Sequence, residues 1–240
     1  MAFCCDYIQI HTKVKPLYNI TMTRRYTFAP GEYYHLYNRG VEKRLIYLDD
    51  NDKERFVKLL FFCNSYKPLN MRDRHKGLTF VEYDRGERLV DIGAYCLMPN
   101  HFHLLIREKD GGNVSIFMQK LMTAYTMYFN VKNQRKGRLF ESSYLSTHAN
   151  YDEYLKYLFA YIHLNPLKLI DSSWREKLLY KEEWAQKALH SYPYSSYSDY
   201  QGIKRDQDLI LNREAFPEYF PQLGDHSAYL SDWINFDTKV

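Results

Sequence analysis

Residues 89–106 read LVDIGAYCLMPNHFHLLI. Two short apolar runs flank Pro99-Asn100, a dipeptide that interrupts strands and favours a turn. The stretch predicts strands over 89–98 and 101–106, paired as an antiparallel hairpin. Side chains on a strand alternate faces, so His101 and His103 share one face. Neutral imidazole is a common metal ligand, and this pair offers a cation two ligands. The competing reading is two half-buried histidines, each hydrogen-bonded and chemically idle.

Working outward, YYHLYN at 33–38 has strand composition and ends at the turn signal Asn38-Arg39-Gly40. Residues 49–64 read as a helix that Asp50 or Asn51 can cap, with Phe56, Leu59, Leu60 and Cys63 on its apolar face. Residues 67–77 are polar and basic, a loop. Residues 113–133 form a long amphipathic helix, and RLFESSYLST at 138–147 a fourth strand. A helix then starts at Asn150 with a capping-box signature, because Glu153 follows three residues later. Tyr151, Leu155, Leu158 and Ile162 mark its core face, and Pro166 ends or kinks it. Strand, helix, strand, strand, helix, strand, helix is the order of an α+β fold, a ferredoxin-like antiparallel sheet flanked by helices. Residues 171–240 read as a mostly helical C-terminal tail that carries SYPYSSYSDY. Residues 1–21 show no period and read as a disordered extension, with Met22 the more convincing start. The principal domain is expected over 22–170.

Bulk composition narrows the class. Lys and Arg total 33 against 29 acidic residues, a net charge of +4, which permits a nucleic-acid partner without demanding one. The 24 tyrosines exceed what a core needs, although packing is the default role for most. Cys4, Cys5, Cys63 and Cys96 lack zinc-site spacing and read as reduced thiols of a cytoplasmic protein. No apolar run approaches a membrane span, and Asp6 interrupts any signal-peptide core. No GxxxxGK[ST] phosphate loop occurs.

The final helix supplies the complement to the histidines. Its end reads YIHLNP from Tyr161, and the i,i+4 spacing puts Tyr161 and Asn165 on one face. An asparagine carbonyl suits Mg²⁺ or Mn²⁺, and a tyrosine oxygen can attack phosphorus. The plainer alternative is that Tyr161 packs and Asn165 caps the helix.

Five segments, in order, carry a family resemblance: YHLYNRG (34–40), AYCLMPNHFHLLI (94–106), FMQKLMTAYTMYFN (117–130), GRLFESSYLS (137–146) and YIHLNP (161–166). Over residues 24–170 the chain resembles the IS200-like single-tyrosine transposases of the histidine-hydrophobic-histidine superfamily, and most of all their REP-associated branch. The resemblance implies cleavage of single-stranded or hairpin DNA, leaving a 5′-phosphotyrosine link and a free 3′-hydroxyl that can later rejoin it. It makes Tyr161 the nucleophile and His101, His103 and Asn165 the ligands of Mg²⁺ or Mn²⁺. It implies a bacterial-type cytoplasmic protein, nucleoid-associated when bound to DNA, and favours a monomer over a dimer. Glu141 and Ser142 stand where that family's strand is more basic. Arg39, Lys132, Arg135, Lys136 and Arg138 are candidate phosphate contacts. The rival reading is a domesticated protein that binds structured DNA or RNA without cutting it.

Overall fold

The computed structural model describes residues 27–68, 79–171, 174 and 182–235. The proposed extension at 1–21 and most of the basic loop at 67–77 lie outside the described residues. Strands β1 (Tyr33–Arg39), β2 (Val90–Met98), β3 (His101–Glu108) and β4 (Leu145–His148) form one sheet in the order β2-β3-β1-β4. Every pairing is antiparallel. Helices α1 (Asp50–Phe62) and α2 (Asn113–Lys132) connect the strands, and α3 (Asp152–His163) follows β4. This is the expected α+β, ferredoxin-like arrangement.

The two sheet faces bury different partners. Leu36, Ile92, Phe102, Leu104 and Ile106 join Phe56 and Leu60 of α1 and Phe117, Leu121 and Tyr125 of α2 in one core. Ala94, Cys96 and Leu105 point the other way, against Leu155, Leu158, Phe159 and Tyr161 of α3 and against Phe216. All nine residues of β2 are buried, so this strand is a continuous apolar run rather than an alternating one. Gly93 lies at a register shift in the β2–β3 ladder, and the Phe216 ring stands 2.6 Å from where a Cβ would be.

Three local expectations need correction. Asp49, not Asp50 or Asn51, caps α1: its side chain accepts the Asp52 amide at 2.9 Å. The fourth strand spans only four residues. Phe140 makes an isolated bridge to Gly40, and then Asn38 Nδ2 donates to the Ser142 and Ser143 carbonyls at 2.9 and 3.1 Å. A side chain, not a ladder, satisfies that stretch, and regular pairing begins only at Leu145. Helix α3 starts at Asp152 with Tyr151 at its N-cap position and no side-chain cap bond, so Asn150 does not cap it. Tyr151 is also exposed, while Leu155, Leu158 and Ile162 are buried.

Downstream lie α4 (Leu167–Ile170), α5 (Glu182–His190), α6 (Tyr197–Tyr200) and α7 (Asp225–Asn235). Between α5 and α6 the chain runs along the outer edge of β2. Tyr194 O accepts from Leu97 N at 2.9 Å, Ser196 N donates to Tyr95 O at 3.0 Å, and Tyr95 N donates to Ser196 Oγ at 2.9 Å. The tyrosine- and serine-rich stretch thus covers a sheet edge that would otherwise expose unpaired backbone groups. Cys63 and Cys96 are both buried. Among the described residues no helix is long and apolar enough to cross a membrane.

Candidate active site

The hairpin turn fixes the first histidine. Asn100 lies between β2 and β3, and its carbonyl accepts from Gly40 N at 2.9 Å. Its side chain donates to Lys43 O at 3.2 Å through Nδ2 and accepts from His101 Nδ1 through Oδ1 at 2.7 Å. A carbonyl oxygen only accepts, so the His101 proton sits on Nδ1 and the lone pair on Nε2. Asn100 therefore holds the ring and its tautomer at once.

The second histidine leans on a third that sequence reasoning did not select. His35 of β1 hydrogen-bonds His103 through His35 Nε2 and His103 Nδ1 at 2.9 Å, with the rings stacked 5.1 Å apart. Register explains the meeting: His103 pairs with Tyr37 and Leu105 with His35, so His35 is the diagonal neighbour on the same face. The histidine of YYHLYN was visible in sequence, but the register that aims it at His103 was not. When His103 donates from Nδ1, its Nε2 is free to ligate, the arrangement by which second-shell groups orient metal-binding histidines.

Burial keeps these rings neutral. It lowers His35 to a pKa of about 3 and His101 to about 4, with Lys168 and Arg39 adding to the His101 shift. It also drives His103 well below its ordinary value, helped by the neighbouring imidazoles and Lys168. Neutral imidazole is the ligating form. His101 and His103 lie edge to face with centroids 5.0 Å apart.

Helix α3 brings Tyr161 against this cluster. Its ring meets His103 edge to face at 5.3 Å and His35 at 5.6 Å, and the residue is 8% exposed. Asn165 is buried but lies beyond the end of α3, not on its face. Its Nδ2 donates to Tyr161 O at 2.7 Å, a bond that caps the helix end. Its Oδ1 accepts from Lys168 Nζ at 3.1 Å. Lys168, on α4, also places its ammonium 5.4 Å from the centre of the Tyr161 ring. Sequence reasoning passed over Lys168 because it lies past Pro166, where the helical pattern breaks.

Imidazole nitrogen is a borderline donor and an amide oxygen a hard one, so the candidate ligands are a mixed set. Two neutral imidazoles offer Nε2, and one amide offers an oxygen now held by Lys168. No cluster of three His, Cys, Asp or Glu side chains among the described residues is arranged to hold a metal.

The candidate phosphate contacts divide. Arg39 forms a two-pronged pair with Glu141 at 3.0 and 3.2 Å. Lys132 bonds Asp49 at 2.7 Å and the buried Asp52 at 2.7 Å, tying α2 to the cap of α1. Arg135 donates to Asn130 at 2.8 Å and Arg138 to the Glu141 carbonyl at 2.9 Å. Lys136 is exposed. His163, two residues after Tyr161, faces away and bonds His226 and Ser196.

Residues 63–165 match the family model described as "Transposase IS200 like". One solved structure, of a REP-associated tyrosine transposase bound to a REP hairpin, is similar at 14% identity. The match covers 78% of this chain and 90% of that one with a TM-score of 0.48, a likeness too slight to argue from. Curated proteins gave no match.

Proposed function

Starting from an IS200-like transposase domain over residues 63–165, we propose that the protein cleaves and rejoins single-stranded or hairpin DNA with Tyr161 as nucleophile. We place it in the REP-associated branch, with a catalytic domain over 22–170 and the remainder as its helical extension. The observation that carries this reading is the contact of the Tyr161 ring with His103, because it joins two motifs 58 residues apart (161 minus 103).

His101, His103 and Asn165 would hold Mg²⁺ or Mn²⁺. Bound there, the ion would polarise a phosphoryl oxygen and stabilise the charge that builds on phosphorus. The Tyr161 oxygen loses its proton and forms a bond to the phosphorus, and the bond to the 3′ oxygen breaks. That oxygen takes up a proton and leaves as a 3′-hydroxyl. One phosphodiester replaces another, so no nucleotide cofactor is consumed. In the return step a 3′-hydroxyl attacks the phosphotyrosine and Tyr161 recovers its proton. A free phenol has a pKa near 10, so a cation beside it favours the reactive phenolate. Lys168 lies against the ring in the described arrangement and acts there as a positioning residue. Its ammonium also holds the Asn165 oxygen, so a metal that takes that oxygen must displace it. Neutral His101 and His103 keep lone pairs at neutral pH, and Asn100 and His35 hold their rings.

The reading places the protein in a bacterial-type cytoplasm, at the nucleoid when bound to DNA, acting as a monomer. A cleavage assay tests it. Hairpin-containing single strands are incubated with the protein, with Tyr161→Phe and with His103→Ala, in Mn²⁺ or in chelator. Cleavage only by the unmutated protein with metal is expected. DNA binding by all three with no cleavage by any would favour the binding-only alternative.

A further inference from the structure

The far end of the sheet carries a second charged feature. Where β2 begins and β3 ends, about 20 Å along β3 from His101, the surface opens into a cavity of about 550 Å³. Arg85, Arg88, Arg107 and Lys109 line it, together with Asp91, Glu87 and Glu214. One carboxylate is already committed: Asp91 pairs with Arg107 at 3.5 Å and accepts from Asn212 at 2.8 Å.

Arg85 is the anomaly. It is 8% exposed, yet among the described residues no carboxylate pairs with it. Its Nη2 donates to Leu209 O at 3.0 Å, its guanidinium lies over the Phe61 ring at 4.2 Å, and its buried Nη1 has no hydrogen-bond partner among the described residues. Buried charges in proteins are ordinarily paired and hydrogen-bonded, because desolvating a lone cation is costly. Burial, with Arg88 adding, lowers Arg85 to a pKa of about 10, the direction of a cation with no counter-charge. An arginine unpaired among the described residues, in the wall of a cavity and beside a second arginine, suits an anion from outside the chain. Guanidinium groups match the geometry of phosphate oxygens.

We propose that this cavity binds a phosphate group, with Arg85 and Arg88 as its principal donors. The site is separate from Tyr161 and does not depend on the chemistry assigned there. Two sources carry the same group: a phosphodiester of bound DNA, or a free phosphate.

The test uses the full chain carrying Tyr161→Phe, so that cleavage cannot interfere. Inorganic phosphate is titrated calorimetrically against chloride at constant ionic strength. A mixed-sequence single-stranded oligonucleotide is titrated by anisotropy at several salt concentrations. Arg88→Ala removes a half-buried donor and is expected to fold, whereas Arg85→Met is read only if its circular dichroism matches the parent. Saturable phosphate binding, weakened roughly tenfold by Arg88→Ala, is the expected result, the worth of one charge-assisted hydrogen bond. A backbone source would also weaken oligonucleotide binding and reduce its salt slope by about one. A free-phosphate source would leave oligonucleotide binding unchanged. The proposal is overturned if the parent binds no phosphate saturably and Arg88→Ala binds the oligonucleotide normally. It is equally overturned if phosphate binds but neither arginine variant weakens it.

Discussion

At the residue scale the site rests on how three imidazoles divide their nitrogens. His101 takes Asn100 on Nδ1, and His103 takes His35 on Nδ1; with His103 as the donor of that bond, the proposed reading has both Nε2 atoms for the cation. His35 is therefore expected to matter although it need not touch the ion. His35→Phe keeps a ring in the stack and removes the hydrogen bond. It should weaken Mn²⁺ binding at least tenfold, the loss that follows removal of a hydrogen bond orienting a ligating histidine, with the circular dichroism unchanged. Calorimetric titration of Mn²⁺ checks this, and an unaltered affinity would leave His35 a packing residue. Lys168 makes a different prediction. Lys168→Met removes the ammonium beside the Tyr161 ring and should slow DNA cleavage roughly tenfold, about 1.4 kcal/mol of lost transition-state stabilisation. Lys168→Arg should restore most of the rate, and Mn²⁺ affinity should not fall in either variant.

Elements show what the sequence made legible. Periodicity and turn signals locate β2, β3 and α2 to within two residues, because each carries a strong apolar pattern bounded by Pro99-Asn100 or by glycines. The same logic failed at 138–144, where β-prone residues met a long-range partner, and at Asn150, whose capping box does not form. Asn38 reaches across from β1 to take the carbonyls of Ser142 and Ser143, and local pattern cannot announce such a bond. Packing is the default expected of the tyrosines, and those of the tail follow it. Tyr192 donates to the Leu97 carbonyl, and Tyr200 donates to Gly93 O at 2.8 Å. Gly93 is the most specific expectation at this scale. Gly93→Ala would set a methyl against the Phe216 ring, which is itself packed on Tyr33 and Phe159. We expect a loss of about 1–3 kcal/mol, the range for overpacking a core, read from denaturant midpoints. Partial recovery should follow when Phe216→Leu is added.

For the molecule as a whole, the C-terminal segments are built into the same body as the sheet. They cover the β2 edge and bury His163 of α3 against His226 of α7 at 2.9 Å. His226 also contacts Gln201 Nε2 at 3.0 Å. Its burial, with Arg213 adding, lowers His226 to a pKa of about 3, and His163 falls well below its ordinary value for the same reason. Both rings are neutral in the fold and titrate near 6.5 when unfolded. Their contribution to stability is complete above that pH and declines as the pH drops below it. For His226 the decline continues towards pH 3, by at most about 1.4 kcal/mol per pH unit. His226→Gln should flatten the dependence of urea stability on pH between 6.5 and 4. An unchanged slope would mean that His226 does not set it.

The central claim is a covalent bond between DNA and Tyr161, and it can be located directly. After reaction with a hairpin-bearing single strand in Mn²⁺, nuclease and trypsin digestion should leave a nucleotide on the peptide spanning residues 157–168, YLFAYIHLNPLK. Fragmentation separates Tyr157 from Tyr161 within it. The account predicts phosphonucleotide mass on Tyr161, lost in chelator. A nucleotide on Tyr157 or any other residue, or none on any peptide while the DNA is cut, would contradict it.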